Sequence, residues 1–227
     1  SVKQVQATAL AFAAILADGS VVTWGDPDFG GDSSAVQEHL GSVQQIKPGQ
    51  RAFAAILADG SVVTWGDPRY GGDSSAVRDQ LNEVQHVQAT WKAFAAILAD
   101  GSVVTWGHPD FGGDSSTVQD QLKNVQQVQA TDRAFAAILA DGSVVTWRSP
   151  KNGGDSSAVQ DQLRNVQQVQ ATYVHLLRSW QMDLSLLGAI QMMVAIALPC
   201  KISSGICRKG QGNLMVHLLL KPSMVGW

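Results

Sequence analysis

Cysteine is almost absent from this chain of 227 residues: Cys200 and Cys207 are its two cysteines, and both lie near the C-terminal end. Two cysteines in one segment support neither a disulfide framework nor a metal site. Aromatic residues make up 7% and charged residues 15% of the sequence. No secretory signal opens the chain, so the sequence favours a cytoplasmic or nuclear protein over a secreted one.

Positive charge is scarce in the first part of the chain. Residues 1–172 carry 11 Lys and Arg against 18 Asp and Glu, a net charge of −7, whereas residues 173–227 carry 5 against 1, a net charge of +4. All five methionines also lie in residues 173–227. The acidic first part suits a soluble protein and argues against nucleic acid as a partner, because phosphate contacts need Lys and Arg. The change in composition predicts a boundary near Thr172.

Internal repetition is the main feature that the sequence does contain. The segment AFAAILADGSVVTW occurs four times without a change, beginning at Ala11, Ala52, Ala93 and Ala134, so the period is 41 residues. A fixed period of this length indicates a solenoid, a propeller or another array in which one small unit is copied and stacked. The copies begin near residues 2, 43, 84 and 125.

The third copy predicts three strands. Residues 84–90 (VQHVQAT) alternate apolar and polar side chains, which is the period of a half-buried strand. Residues 93–99 (AFAAILA) are apolar and short enough for a buried strand, although alanine leaves a helix as the alternative. Asp100-Gly101 then predicts a hairpin with a primed turn, and residues 102–106 (SVVTW) form the returning strand.

Turn residues and a short helix follow these strands. Residues 107–116 (GHPDFGGDSS) contain a proline and a glycine pair, both typical of turns, and Asp114 or Ser115 can cap a helix over residues 117–122. Three strands cannot bury two faces alone, so the copies must pack on one another. The in-register aromatic residues supply this packing: Phe12, Phe53, Phe94 and Phe135, with Trp24, Trp65, Trp106 and Trp147.

A strand repeat of this length closes most often into a β-propeller, and the residues resemble one propeller family. The string QVQAT..AFAAILADGSVVTWGDPDFGGDSS is similar to the repeat of the RCC1-like propellers, in which an alanine-rich strand, an Asp-Gly turn and a Trp-Gly pair follow one another. The resemblance covers about residues 1–172. Its most specific part, the Trp-Gly pair, is present at Trp24, Trp65 and Trp106, but in the fourth copy Arg148 replaces the glycine.

The resemblance implies an all-β, partial RCC1-like propeller of four blades. Roles known in the family include guanine-nucleotide exchange, chromatin docking and ubiquitin-ligase scaffolding, and a bacterial branch with shorter copies includes secreted inhibitors of β-lactamases. None of these roles is carried by residues that match here. The first and last copies would expose edge strands and apolar faces, so we expect further blades, a larger parent chain or self-association to cover them.

The tail, residues 173–227, is predicted to be a fifth and a sixth copy translated in another reading frame. A fifth AFAAILADG should begin at residue 175, but residues 174–199 read VHLLRSWQMDLSLLGAIQMMVAIALP. Joining the third base of each codon to the first two bases of the next recovers the repeat over 31 consecutive positions with one mismatch. The single codons of Trp180 and Met182 force the expected alanine and glycine, so freedom of codon choice does not explain the agreement.

The alternative is that the tail is selected sequence. Residues 184–199 carry no charge and look like a membrane segment, which would make the protein a membrane-associated subunit. The segment is shorter than the roughly 20 apolar residues that a spanning helix needs. A buried or aggregating helix is the other structural interpretation of these residues.

Few residues offer metal chemistry. Asp26 and Asp28 stand at alternate positions and are followed by two glycines and Asp32, which superficially resembles a calcium loop. Only the last of these acidic positions persists in the other copies, and a helix cap explains it without an ion. The sequence indicates no other metal and no cofactor.

No catalytic set recurs among the copies. His39, His86 and His108 occupy three different positions of the repeat, and none has the spacing of a metal ligand. The repeated Asp-Gly-Ser could place a nucleophile beside a carboxylate, but without a histidine in register it predicts a hairpin turn. We therefore expect a protein that is not an enzyme.

The loop that enters AFAAILA differs between copies that agree closely on either side of it. Variable residues on an unvarying scaffold predict a binding surface, and drift in an unimportant loop is the alternative. The leading functional prediction is a non-catalytic protein-interaction scaffold, followed by the membrane-associated subunit and by an enzyme inhibitor. The candidate partner-binding residues are Lys47, Gln50, Arg51, Trp91, Lys92, Asp132 and Arg133.

Overall fold

Four similar antiparallel sheets follow one another along the chain in a computed structural model, which describes residues 1–171 and 195–196. Each sheet contains three strands in sequential order. The strands are β1 (Val2–Ala7), β2 (Ala11–Leu16), β3 (Val21–Gly25), β4 (Val43–Pro48), β5 (Ala52–Leu57), β6 (Val62–Gly66), β7 (Val84–Ala89), β8 (Ala93–Leu98), β9 (Val103–Gly107), β10 (Val125–Ala130), β11 (Ala134–Leu139) and β12 (Val144–Arg148). We call each three-stranded sheet, with the short helices that follow it, a blade, and number the blades 1 to 4 in chain order.

The three predicted strands of each copy are confirmed, and the helical alternative for AFAAILA is wrong. This segment is the middle strand of every blade, hydrogen-bonded on both sides. In blade 3, Phe94 lies opposite Trp106 on the returning strand. A further pair of short strands, β13 (Val169–Gln170) and β14 (Ala195–Ile196), is antiparallel and lies outside the four blades.

Two short helices follow the strands of each blade, where the sequence predicted one, and all of them are 3-10 helices. The first begins at the proline of the turn segment, and in blade 1 its C-terminal cap is Gly30, whose φ of 88° is the left-handed conformation that favours glycine. The Asp26 carboxylate caps it by accepting from the Asp28 N–H. The helices are Pro27–Phe29, Ser34–His39, Pro68–Tyr70, Ser75–Gln80, Pro109–Phe111, Gln119–Gln121, Pro150–Asn152 and Ser157–Gln162.

The predicted cap of the second helix is wrong in blade 3. This helix is Gln119–Gln121, and Val118 rather than Asp114 or Ser115 stands at its start. The Asp114 carboxylate accepts instead from the Ser116 N–H at 2.9 Å. The aspartate therefore closes a local turn ahead of the helix, since Asp side chains bond readily to a backbone N–H two residues on.

The Asp-Gly hairpin is confirmed, but its turn type differs from the prediction. In blade 1 the Leu16 N–H donates to Ser20 O at 2.9 Å, so the loop has three residues rather than the two of a primed turn. Only Gly19 in this loop has a positive φ, of 85°. The Asp18 carboxylate accepts from the Ser20 hydroxyl at 2.7 Å and from its N–H at 3.0 Å, which lowers the pKa of Asp18.

The hairpin tip also joins one blade to the next. Gly19 O accepts from the Val43 N–H, the first residue of β4, at 2.9 Å. The same backbone bond recurs in the other copies between Gly60 and Val84, Gly101 and Val125, and Gly142 and Val166. Each of blades 1 to 3 is therefore tied at its hairpin to the first strand of the next blade, and blade 4 is tied in the same way to Val166.

The blades pack face to face because side chains alternate across the middle strand. Phe53 and Ala55 of blade 2 lie in one apolar cluster with Ala13 of blade 1, whereas Ala54 and Ile56 lie in the next cluster with blade 3. We call the face toward the preceding blade the front face and the opposite one the rear face. The same division recurs between blades 3 and 4.

The aromatic residues of the front face pack between copies, as the sequence predicts. Phe53 stacks on Trp65 with ring centroids 5.2 Å apart, and the Trp65 indole Nε1 donates to Gly30 O of blade 1 at 3.0 Å. A Cβ at Gly30 would lie 2.8 Å from the Phe53 ring, so glycine lets the two blades approach. The indole bond recurs from Trp106 to Gly71 O at 3.1 Å and from Trp147 to Gly112 O at 3.2 Å.

Blade 1 exposes the face that its successors bury, which confirms the expectation for this end of the array. The counterparts of its front-face residues are buried or half-buried in blades 2 to 4, apart from Arg133 at the position of Leu10, which is exposed. In blade 1 these side chains are between 43% and 57% exposed. They are Val2, Val5, Leu10, Phe12, Val22 and Trp24.

Most of the tail lies outside the described residues. The boundary near Thr172 and the frame-shifted copies therefore remain predictions, and so does the segment 184–199 apart from residues 195 and 196, which form β14. Within residues 1–171 and 195–196, no helix is long and apolar enough to cross a membrane.

Candidate protein-interaction surface

In blades 1, 3 and 4 a threonine holds the loop that enters the middle strand against the first 3-10 helix of the same blade, and Gly49 stands at this position in blade 2. In blade 3 the Thr90 hydroxyl lies 2.8 Å from Phe111 O and accepts from the Ala93 N–H at 3.1 Å. The same contacts occur at Thr8 in blade 1 and at Thr131 in blade 4. A short, bonded loop of this kind gives the residue just before the strand a defined position beside the aromatic residue of the helix.

Cations and aromatic rings alternate from blade to blade along these loops. The Arg51 guanidinium lies 4.5 Å from the ring centroid of Phe29 in blade 1 and 4.9 Å from that of Tyr70 in its own blade. The Lys92 ammonium lies 4.7 Å from Tyr70 and 5.0 Å from the Phe111 ring. We call the resulting row the cation–aromatic strip, and its residues are Phe29, Arg51, Tyr70, Lys92, Phe111 and Arg133.

The cations of the strip are stacked on aromatic rings, and two of the three are partly removed from water. Each cation lies within the distance at which the negative face of an aromatic ring attracts positive charge. Arg51 and Lys92 are half-buried, and Arg133 is exposed. The Asp67 carboxylate is close enough to Arg51 to feel its charge. A hydrogen bond from Arg69 at 2.9 Å lowers the pKa of Asp67, and the charge of Arg51 lowers it further.

Three of the predicted partner-binding residues, Arg51, Lys92 and Arg133, are therefore brought together in one row. Two others link neighbouring copies through the backbone, because the Trp91 N–H donates to Asp132 O at 3.1 Å. Gln50 O accepts likewise from the Ala9 N–H. Trp91 also packs at the edge of the apolar cluster between blades 3 and 4, and Asp132 is buried.

Lys47 lies apart from the strip and is not in a loop, which corrects its predicted location. It is the residue before last of β4, where it lies opposite Ala54 of the middle strand. Pro48 ends the strand, which an edge strand tolerates because its outer N–H groups have no ladder partner. Burial lowers the pKa of Lys47, because desolvation disfavours the charged ammonium.

We expect Lys47→Gln, which installs the residue found at Gln6, Gln88 and Gln129, to stabilise the protein by roughly a few tenths of a kcal/mol near neutral pH. The lysine pKa is lowered in the folded state, so stability of the unmodified protein rises with pH from the folded pKa up to the unfolded value. The difference between the two proteins should therefore shrink as pH approaches 10.5. Urea unfolding at neutral and alkaline pH measures it, and a constant difference would show that the charge of Lys47 is not responsible.

The calcium candidates do not form a common cluster. The Asp26 carboxylate accepts from the Asp28 N–H and that of Asp32 from the Ser34 N–H, both at 2.9 Å. In the described part of the chain, no group of three or more His, Cys, Asp or Glu side chains is placed to hold a metal ion. Two of the three carboxylates thus have local backbone partners.

The aromatic half of the strip is what sequence reasoning missed. Phe29, Tyr70 and Phe111 lie within segments that the sequence predicts only as turns. One available signal was that these rings and the cations both recur at the repeat period. Their mutual approach depends on how neighbouring blades stack, so the pairing of Arg51 with Phe29 of another blade is not visible in the sequence.

Comparison with known proteins reveals likeness in structure only. No family model and no curated protein matches the chain. Similar solved structures include human WBSCR16 (16% identity, 74% of this chain and 50% of that chain covered, TM-score 0.45) and Prp20p from Saccharomyces cerevisiae (19%, 64% and 43%, TM-score 0.45). The computationally designed protein Ika4 is also similar (15%, 65% and 91%, TM-score 0.40).

The chain spans half the length of the WBSCR16 structure and less than half of that of Prp20p. Yeast RCC1 (Prp20) bound to Kap60 is a further similar structure (18% identity, 64% of this chain and 41% of that chain covered, TM-score 0.45). The fold of the described residues is all-β, with strand order, register and blade contacts as given above.

Proposed function

We propose that this protein is a non-catalytic protein-interaction scaffold and that the cation–aromatic strip is its contact surface. The observation that carries the proposal is the strip itself, with Arg51, Lys92 and Arg133 contributed by three successive blades and spaced by aromatic rings. The partner that fits it is a protein with an extended acidic segment, which could meet the three cations in turn.

The composition of the strip supports a protein partner. Arginine and aromatic side chains are enriched among the residues that contribute most to binding at protein interfaces, and lysine contributes charge there more than packing. The rings of Phe29, Tyr70 and Phe111 limit the freedom of the cations before a partner arrives. Less side-chain entropy is then lost on binding, which favours affinity.

A scaffold also fits the chemistry that the copies offer. The serine hydroxyl of each Asp-Gly-Ser turn is bonded to the neighbouring carboxylate, as at Ser20 and Asp18, and closes a hairpin. His39 and His86 are exposed on different elements, and His108 accepts from the Asp110 N–H through Nδ1. Each of these carboxylates therefore closes a turn, and the three histidines stand on other elements.

The test measures binding of two synthetic peptides of equal length, one glutamate-rich and one lysine-rich. We expect the unmodified protein to prefer the acidic peptide, and Arg51→Gln/Lys92→Gln/Arg133→Gln to weaken that binding by at least about tenfold. A matched control, Arg78→Gln/Lys123→Gln/Arg164→Gln, removes the same charge from exposed residues off the strip and should change it by less than about twofold. Isothermal titration calorimetry at two salt concentrations measures the dissociation constant of each peptide.

Two results would contradict the proposal. One is no preference for the acidic peptide, and the other is an equal loss in the strip variant and the control, which would indicate net charge rather than this surface. Arg51→Lys/Arg133→Lys keeps the charge, so it should retain most of the binding if the strip acts electrostatically. Circular dichroism confirms that each variant keeps its strands before binding is compared.

A further inference from the structure

The three cations of the cation–aromatic strip recur at the interval between blades. Arg51 and Lys92 lie 4.9 Å and 4.7 Å from the ring centroid of Tyr70, so their charges are at most about 10 Å apart, which is also the usual distance between sheets packed face to face. Lys92 and Arg133 lie 5.0 Å and 4.7 Å from the centroid of Phe111, which sets the same limit. Each blade that carries a cation therefore adds one positive charge about 10 Å from the last.

The position of each cation is set by the backbone. Arg51, Lys92 and Arg133 are the residues immediately before the middle strands β5, β8 and β11, whose first alanines are buried. In each case the carbonyl group of the cationic residue accepts a backbone N–H from the turn that follows the third strand, at 2.8 to 3.3 Å. The interval between the charges thus follows the packing of the blades rather than the reach of flexible side chains.

Negative charge of the protein lies between two of the cations. The exposed residue Asp110 directly precedes Phe111, the ring that both Lys92 and Arg133 contact. A partner carboxylate placed midway between these cations would approach Asp110, and like charges repel. In the other interval Arg69 occupies the corresponding position, and its charge is matched by an ion pair within its own blade. The strip therefore favours separated negative charges over a continuous acidic tract.

An extended partner segment has the period that this interval requires. In the polyproline II conformation a chain advances about 3.1 Å per residue with three residues per turn, so side chains three residues apart lie on one side at an interval of about 9 Å. A β-strand advances by a similar distance, but residues three apart point to opposite faces. An α-helix covers the interval in about seven residues, and its diameter of about 10 Å would bring further side chains over Asp110.

We propose that the partner presents acidic side chains at every third residue of a segment in the polyproline II conformation. Carboxylates at positions i, i+3 and i+6 meet Arg51, Lys92 and Arg133 in turn, and the two residues between them carry no charge. The proposal depends on the interaction function proposed for the strip and specifies the partner of that same surface. Polyproline II also favours binding, because a segment that is already in this conformation loses less entropy than a flexible one.

Three peptides of identical composition test the spacing. Each contains three glutamates and six prolines with blocked termini, so the net charge is constant and proline holds all three peptides in the same conformation. The glutamates stand at every third position, at every second position or side by side. We expect the first peptide to bind at least about fivefold more tightly than either of the others, as measured by NMR titration of the full chain.

Substitutions at Lys92 show whether the strip recognises the spacing. Lys92→Gln removes the middle cation, so the preference for the first peptide should fall below about twofold. Lys92→Arg, which installs the residue type of Arg51 and Arg133, keeps the charge and should keep the preference. Lys123→Gln removes an exposed charge from the same blade outside the strip and should also keep it. Circular dichroism confirms that each variant retains its strands.

The outcomes separate this proposal from the proposed function. Equal binding of the three peptides, together with a preference for the acidic over the lysine-rich peptide, would overturn the spacing while the strip remained a contact surface. Absence of any preference for acidic peptides would contradict both. A helical peptide with glutamate at every seventh position that binds more tightly than the first proline peptide would assign the partner to a helix and overturn the extended conformation.

Discussion

Phe94→Ala is expected to lower the free energy of unfolding by about 3–5 kcal/mol, whereas Phe12→Ala should lower it by less than about 1 kcal/mol. Both residues stand in the same 14-letter segment, so local sequence does not distinguish them. Phe94 is fully buried, stacks on Trp106 and fills the space over Gly71 of the preceding blade. Phe12 lies on a face that no described blade covers and is 43% exposed.

Urea unfolding followed by circular dichroism measures both losses. The comparison is made at low protein concentration, because self-association through the front of blade 1 would bury Phe12 and enlarge its effect. An equal loss in the two variants under those conditions would mean that the front of blade 1 is covered within a single chain. A small loss for Phe94→Ala would contradict the stacking of blades 2 and 3.

Gly107→Ala is expected to destabilise the protein by at least about 2 kcal/mol, while Arg148→Gly, at the same position of blade 4, should stabilise it by about 1 kcal/mol. Gly107 has a φ of 99°, and a Cβ there would lie 2.5 Å from Lys92 O. Arg148 has a φ of 78°, a left-handed conformation that glycine adopts without strain and arginine does not. The backbone bond from Ser149 to Arg133 O is 3.3 Å, compared with 2.8 Å from His108 to Lys92 O in blade 3.

The stability gained in Arg148→Gly depends on how much the arginine side chain itself stabilises the protein. Arg148 forms an ion pair with Asp114 at 3.2 Å, and exposed pairs of this kind contribute about 0–1 kcal/mol. Arg148→Ala removes that pair but keeps the Cβ, so it should yield no gain and serves as the control. If Arg148→Ala stabilises as much as Arg148→Gly does, the side chain and not the backbone conformation is the source of the strain.

The strands were predictable because their signals are local. Alternation in residues 84–90 and the Asp100-Gly101 turn each reflect geometry that spans a few residues, and the structure has β7 and the β8–β9 hairpin there. The short helix at Pro109–Phe111 was missed because a single 3-10 turn has no periodicity to detect. The end of β4 was missed because Pro48 reads as a loop residue, although an edge strand accommodates it.

The candidate surface was only partly predictable. Comparing the copies in the sequence was enough to point to the loops that contain Arg51, Lys92 and Arg133. Their aromatic partners belong to other segments and, for Arg51 and Phe29, to another blade. A contact between residues brought together by blade stacking has no signature in the spacing of either residue.

By itself the sequence determined the blade: its three strands, its hairpin and the faces that the alternation of side chains creates. Only the tertiary structure decided what each identical copy of AFAAILADGSVVTW does. The phenylalanine at 94 is core and the one at 12 is surface, because burial depends on whether another blade packs in front. Apolar area removed from water stabilises a side chain wherever a neighbour supplies it, and in this array that neighbour lies a full repeat away along the chain.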